Sequence, residues 1–155
     1  MSDYQTRFGG IARLYGQEQA QWLRSANFCV VGIGGVGTWV AEALVRSGVG
    51  GITLIDLDDI CTTNTNRQIH ALTSTVGQAK VHVMAARIAE INPDCRVECI
   101  EDFITPDNIR DIFGDRESHK FDLVVDAIDS IKAKTSLIAH CKRQKIPFVV
   151  TGGAG

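Results

Sequence analysis

Short apolar runs alternate with stretches of helical periodicity along most of the chain. Residues 28–31 form an apolar run that ends in glycines. Residues 35–47 follow with helical spacing, because Val36, Val40, Ala43 and Leu44 share a face. Residues 52–55 are a second buried-strand run and lead into Asp56. The periodicity over 76–91 predicts a helix that Asn92-Pro93 stops. Residues 95–100 read as a strand. Residues 106–113 read as a short helix with Thr105 as N-cap and Pro106 in its first position. A strand over 121–125 ends at Asp126, a helix covers 130–142, and a last strand covers 146–150. Ahead of the first strand, residues 16–26 predict an additional helix.

Continuous apolar strands alternating with helices imply a parallel sheet covered on both faces, a doubly wound α/β fold. Ligands of such folds bind at the carboxyl ends of the strands. Asp56, Asp126 and Asp129 therefore belong on the functional edge. Repeats, low-complexity tracts and internal domain boundaries are absent from the pattern.

The loop Gly32-Ile33-Gly34-Gly35-Val36-Gly37 joins the first strand to the helix after it. Missing side chains allow a tight turn and close approach to phosphate, and the helix N-terminus presents unpaired N–H groups to an anion. Asp56 lies 19 residues after Gly37, where a carboxylate can accept hydrogen bonds from ribose. These features indicate a nucleotide without separating NAD from ATP. The following segment separates them. Residues 56–68 are polar, set Asn66 and Arg67 side by side, and precede Lys80. Hydride transfer needs no such density of phosphate-directed donors. Breaking the bond between α- and β-phosphates does, because charge grows on the attacked phosphorus and on the leaving pyrophosphate. Arg supplies a planar fork of donors and Lys a compact charge. Asp129 can hold Mg²⁺ bridging the phosphates.

Composition changes this picture little. The chain has 155 residues and a net charge of −2, which argues against a broad basic nucleic-acid surface. Lys142, Arg143 and Lys145 form the densest basic cluster and read as a solvated helix end. Five cysteines without a Cys-x-x-Cys pair exclude a disulfide framework and a zinc site of that kind, and fit a reducing cytoplasm. Cys61, on the nucleotide edge, is the one cysteine considered reactive; Cys29, Cys95, Cys99 and Cys141 read as structural. His70 is expected in a helix near Arg67 with a structural role. Trp39 is expected to pack or to meet a second copy. Residues 1–13 lack a signal-peptide core, and no apolar run approaches the roughly 20 residues of a membrane span. The ending Thr151-Gly152-Gly153-Ala154-Gly155 reads as a domain cut at its C-terminus, with the closing loop and substrate platform expected to follow. The 155 residues alone are therefore expected to bind ATP weakly or turn over poorly.

The order of motifs (Gly-x-Gly-Gly-x-Gly, Asp56-x-Asp58, Asn64 to Gln68, Gly77-x-x-Lys80 and Asp126-x-x-Asp129) resembles the E1-like (ThiF/MoeB/HesA) family over nearly the whole chain. Asn64-Thr65-Asn66-Arg67-Gln68-Ile69-His70-Ala71-Leu72 is most similar to its tRNA-modifying branch, the threonylcarbamoyladenosine dehydratases. The resemblance implies an adenylation domain in which Gly32, Gly34, Gly35 and Gly37 cradle the phosphates of ATP. Asp56 would hold the ribose, with Asp58 beside it. Thr63, Asn64, Asn66, Arg67 and Gln68 would line the phosphates. Arg67 and Lys80 would stabilise pyrophosphate, and Asp129 would bind Mg²⁺ with Ser130 beside the nucleotide. It further implies a homodimer in which Arg7 or Arg13 reaches the neighbouring site. The implied substrate is tRNA carrying threonylcarbamoyladenosine at position 37, activated as a carboxyl-adenylate and then cyclised. A cysteine desulfurase with its sulfur acceptor are implied companions. The apolar C-terminal segment of some family members allows membrane association of a complete chain. Other readings are adenylation of a sulfur-carrier protein's C-terminal glycine, a nicotinamide dehydrogenase, and a non-catalytic nucleotide-binding module.

Overall fold

The computed structural model describes residues 2–152. Gly153, Ala154 and Gly155, part of the glycine-rich ending, lie outside the described residues. Two helices come first: α1 (Asp3–Tyr15) and α2 (Gln17–Ser25). The alternation then runs β1 (Asn27–Val31), α3 (Gly37–Arg46), β2 (Gly51–Ile55), α4 (Lys80–Ile91), β3 (Arg96–Ile100), α5 (Ile109–Phe113), β4 (Leu123–Asp126), α6 (Ile131–Gln144) and β5 (Phe148–Val150). The named strands pair in parallel throughout, in the order β3-β2-β1-β4-β5. The expected doubly wound sheet is present. Its order reverses between β1 and β4, so those two strands flank the switch point where such folds open a crevice.

Strand alternation divides the core between the two faces. Phe28 and Val30 of β1 pack with Ile52, Leu54, Val45, Val81, Met84 and Ile88 under α3 and α4. Cys29 and Val31 face the other way, onto Phe113, Val124, Leu137 and Cys141 under α5 and α6. The middle strands are buried on both faces, which explains their unbroken apolar sequences.

Several boundaries differ from the pattern. Helix α1 was not foreseen, because Gly9-Gly10 at its centre are poor helix formers. A capping box between Ser2 and Gln5 and the burial of Phe8 hold it instead. Helix α4 begins at Lys80 rather than at 76. The residues before it turn through Gly77 at φ 87°, and Gly77 N–H donates to the Ile60 carbonyl at 2.8 Å. Helix α5 begins at Ile109 with Asn108 as its N-cap, so Thr105 closes the preceding turn instead: its hydroxyl accepts from Asn108 N–H at 3.3 Å while Asn108 Oδ1 accepts from Thr105 N–H at 2.9 Å. His70 lies in a turn, not a helix. No helix among the described residues is long and apolar enough to cross a membrane.

Candidate active site

The β1–α3 loop enters the switch point under tight steric constraint. Gly32 has φ 89°, and a Cβ there would lie 2.7 Å from the Ala127 carbonyl oxygen beyond β4. Gly37 faces back onto the same turn: its Cβ would meet the Gly32 carbonyl oxygen at 1.7 Å. The two outer glycines thus let β1, α3 and the β4 edge approach one another. Gly34 is different, since its nearest neighbour would be Gln68 Nε2 at an ordinary 3.6 Å. Gly34 and Gly35 line a cleft of about 650 Å³, large enough for a nucleotide. The first turn of α3 opens beside it, with Thr38 N–H donating to the Gly34 carbonyl and Trp39 and Val40 N–H to the Val36 carbonyl.

Three side chains lock this loop. Asp56 Oδ2 accepts from Ile33 N–H at 2.7 Å, and its Oδ1 accepts from Asp58 N–H at 2.8 Å. Thr38 Oγ1 donates to the Gly34 carbonyl at 2.7 Å. His70 Nε2 bonds the Ile33 carbonyl at 3.0 Å. Burial drives the His70 pKa below its ordinary value; the Ile33 carbonyl opposes that shift and nearby Lys80 adds to it. A neutral imidazole therefore donates through Nε2. His70 supports the loop from behind and does not line the cleft.

Lys80 starts α4 and is buried, with 8% of its side chain exposed. Its Nζ lies 3.6 Å from Asp58 Oδ2, and both residues line the cleft. The antiparallel bridge Asp59–Ala79 and the bond from Lys80 N–H to the Asp58 carbonyl fix this arrangement. A single 3₁₀ turn, Thr62–Asn64, presents the next segment. Asn64 is buried and accepts from Cys61 N–H at 2.9 Å. Arg67 Nη1 donates to the Thr63 carbonyl at 3.0 Å and to Asn66 Oδ1 at 2.8 Å. Trp39 Nε1 donates to the Arg67 carbonyl, so Trp39 steadies the arginine's backbone. Gln68 is buried against the cleft, with Oε1 lacking a protein donor.

Of the residues named from sequence, Gly32, Gly34, Gly35, Asp56, Asp58, Asn64, Arg67, Gln68, Lys80, Asp129 and Ser130 line one cleft. Gly37, Thr63 and Asn66 do not. Gly37 packs helix on strand, and Thr63 and Asn66 hold Arg67. Arg7 and Arg13 also lie elsewhere. Arg7 pairs with Asp3 at 2.8 Å and reaches the Ile91 carbonyl, at the end of α4 opposite Lys80. Asp126 is structural: it pairs with Lys134 at 3.0 Å and accepts from Ile128 N–H. Cys61 is exposed outside the cleft, and hydrogen bonding from Thr63 lowers its thiol pKa. Cys29 and Cys141 are buried, as expected of structural thiols.

Residues 8–155 match the ThiF family. The chain belongs to this family. Among its relatives, the tRNA threonylcarbamoyladenosine dehydratase of Escherichia coli (strain K12) is 59% identical over 152 residues, which are 98% of this chain and 55% of that protein. The dehydratase of the same name from Haemophilus influenzae is 53% identical over 155 residues, 100% of this chain and 58% of the relative. A crystal structure of the E. coli dehydratase in complex with ATP matches with a TM-score of 0.93 at 59% identity, covering 99% of this chain and 62% of that chain. The chain thus spans just over half the length of the curated relatives it matches.

This ThiF-family cleft has a second wall that the sequence reading missed. Asp102, Phe103, Ile104, Thr105 and Pro106 close it after β3, and Lys132 and Ser136 of α6 continue it. Phe103 is 57% exposed, an aromatic face open on the cleft. Exposed apolar loop residues carry no periodic signal, so only their placement beside the switch point marks them.

Proposed function

We propose that this chain is the nucleotide-binding part of a tRNA threonylcarbamoyladenosine dehydratase. The observation that carries the reading is one cleft uniting a glycine cradle with the buried Lys80 and with Arg67, in a chain 59% identical to an enzyme of that name. ATP fits the cleft. The space over Gly34 and Gly35 takes phosphates, the donors of Gln68 and Arg67 face them, and the wall around Phe103 suits a base. Asp56 already binds two backbone N–H groups. A ribose hydroxyl would add to that set as a further donor to the same carboxylate.

Lys80 and Arg67 act on charge. The threonyl carboxylate of the modified nucleoside attacks the α-phosphorus, and the bond to the bridging oxygen of the β-phosphate breaks. Pyrophosphate leaves with the negative charge that the two cations stabilise. The mixed anhydride turns a poor electrophile into a good one. The carbamoyl group then closes onto the activated carbonyl, loses its proton, and expels AMP with the carboxylate oxygen. One water is thereby removed from the nucleoside. Intramolecular closure needs no further reactant, and its effective concentration is high.

Magnesium is the cation we propose for the cleft. No group of three or more His, Cys, Asp or Glu able to hold a metal occurs among the described residues. Asp129, which lines the cleft, would hold the ion through its carboxylate. Such an ion would offset phosphate charge. We further propose a cytoplasmic homodimer in which Arg7 or Arg13 serves the partner's cleft; neither lines its own. A cysteine desulfurase and its sulfur acceptor are the candidate companions.

The test is nucleoside mass spectrometry of threonylcarbamoyladenosine-bearing tRNA after incubation with the longest available form of the protein, ATP and Mg²⁺. We expect ATP-dependent loss of one water from the nucleoside, and a rate at least ~100-fold lower with Lys80→Ala. Unchanged nucleoside together with ATP–pyrophosphate exchange driven by a sulfur-carrier protein would replace this reading with the carrier one.

A further inference from the structure

Lys142, Arg143 and Lys145 end α6. In sequence they read as a solvated helix end, but the fold sets two more arginines beside them. Arg110 of α5, Arg116 of the next loop and Arg143 line one surface depression of about 530 Å³. Arg116 N–H donates to Gln144 Oε1 at 3.2 Å, tying that loop to the end of α6. Arg110 pairs with Asp115 at 3.2 Å. Arg116, Lys142, Arg143 and Lys145 are exposed and form no ion pair among the described residues. Glu117 is the depression's other carboxylate, so the face remains positive on a chain whose net charge is −2.

The depression adjoins the cleft, because Pro106 lines both. Helix α6 links them along its length. It runs from Ser130 at the cleft to Gln144 at the depression, about 21 Å for 14 residues at 1.5 Å each. A polyanion entering the cleft at one nucleotide would carry its neighbouring phosphates toward these cations.

We propose that the α5–α6 face binds the phosphodiester backbone of the RNA whose modified nucleoside occupies the cleft. This rests on the dehydratase reading. Unpaired arginines offer forked donors to phosphate oxygens without first breaking an ion pair. Phosphate contacts of this kind position a nucleic acid and make its binding salt-dependent. An acidic protein would find the same charge, and the experiment separates the two.

The experiment compares the protein with its Arg116→Glu/Arg143→Glu variant. Binding of threonylcarbamoyladenosine-bearing tRNA is followed by fluorescence anisotropy over a salt series, ATP binding by calorimetry, and turnover by nucleoside mass spectrometry. We expect tRNA affinity about tenfold lower at low salt and a slope of log K against log salt shallower by roughly 1.5. KM for tRNA should rise while ATP affinity and kcat hold. Unchanged tRNA affinity and KM, with the unsubstituted protein dehydrating tRNA normally, would overturn the surface and leave the dehydratase reading standing. If the unsubstituted protein leaves tRNA untouched but adenylates a sulfur-carrier protein, that reading falls and the RNA surface with it. Should the variant also lose ATP binding, Lys142→Ala/Lys145→Ala decides, and undiminished tRNA affinity there overturns the proposal.

Discussion

His70 shows how a single side chain can shape a site without entering it. The residue is 2% exposed and its Nε2 holds the Ile33 carbonyl, while Nδ1 has no protein partner. Protonation would place an uncompensated charge in the core beside Lys80. The linkage has a definite sign. Burial lowers the folded-state pKa below the ordinary 6.5, so the unfolded chain binds more protons. The contribution to stability is complete above about pH 6.5 and is lost as pH falls from there through the folded-state pKa. We expect urea midpoints to drop between pH 7.5 and 5.5, and to drop less in His70→Gln, whose amide can still donate to Ile33. An equally steep pH dependence in both proteins would remove His70 as the cause.

The glycine loop, as an element, carries two unlike requirements within six residues. A side chain at Gly37 would collide with the Gly32 carbonyl at 1.7 Å, whereas one at Gly34 would meet Gln68 at 3.6 Å. Gly37→Ala is therefore expected to cost about 3 kcal/mol of folding stability, since strand and helix must separate. Gly34→Ala should fold within about 0.5 kcal/mol of the parent, yet fill space that phosphate needs, lowering ATP affinity roughly tenfold. Denaturation and calorimetry on both variants check the division. The motif's spacing was legible in sequence, but its split into packing and cleft-lining glycines was not. That split depends on what stands opposite each Cα, and Ala127 and Gln68 are distant in the chain.

Across the whole molecule, one buried ion pair joins the sheet to the cleft's far wall. Asp126 on β4 is 0% exposed and holds Lys134 of α6, whose Nζ also donates to the Thr151 carbonyl at 2.9 Å beyond β5. Thr151 N–H returns a bond to the Asp126 carbonyl. Removing the cation leaves a desolvated carboxylate. Lys134→Met is thus expected to destabilise the protein by about 3–5 kcal/mol. Lys134→Met combined with Asp126→Leu should recover much of that loss, and a double-mutant cycle reads the coupling. Additive losses would show that the pair does not act as a unit.

Sequence alone determined the strand–helix alternation, the carboxyl edge as the side where the cleft opens, and much of the cleft lining: Gly34, Asp56, Arg67, Lys80 and Asp129 could be named from spacing. Those features are local, because apolar period and turn chemistry act between near neighbours. Tertiary structure decided what depends on distant partners. It made Asp126 structural through Lys134, set Thr63 and Asn66 outside the cleft lining as hydrogen-bond partners of Arg67, and put His70 behind the loop. It also brought Phe103 to the cleft and gathered Arg110, Arg116 and Arg143 on one face. Each of those roles follows from which side chain a long-range contact supplies, and no local pattern encodes it.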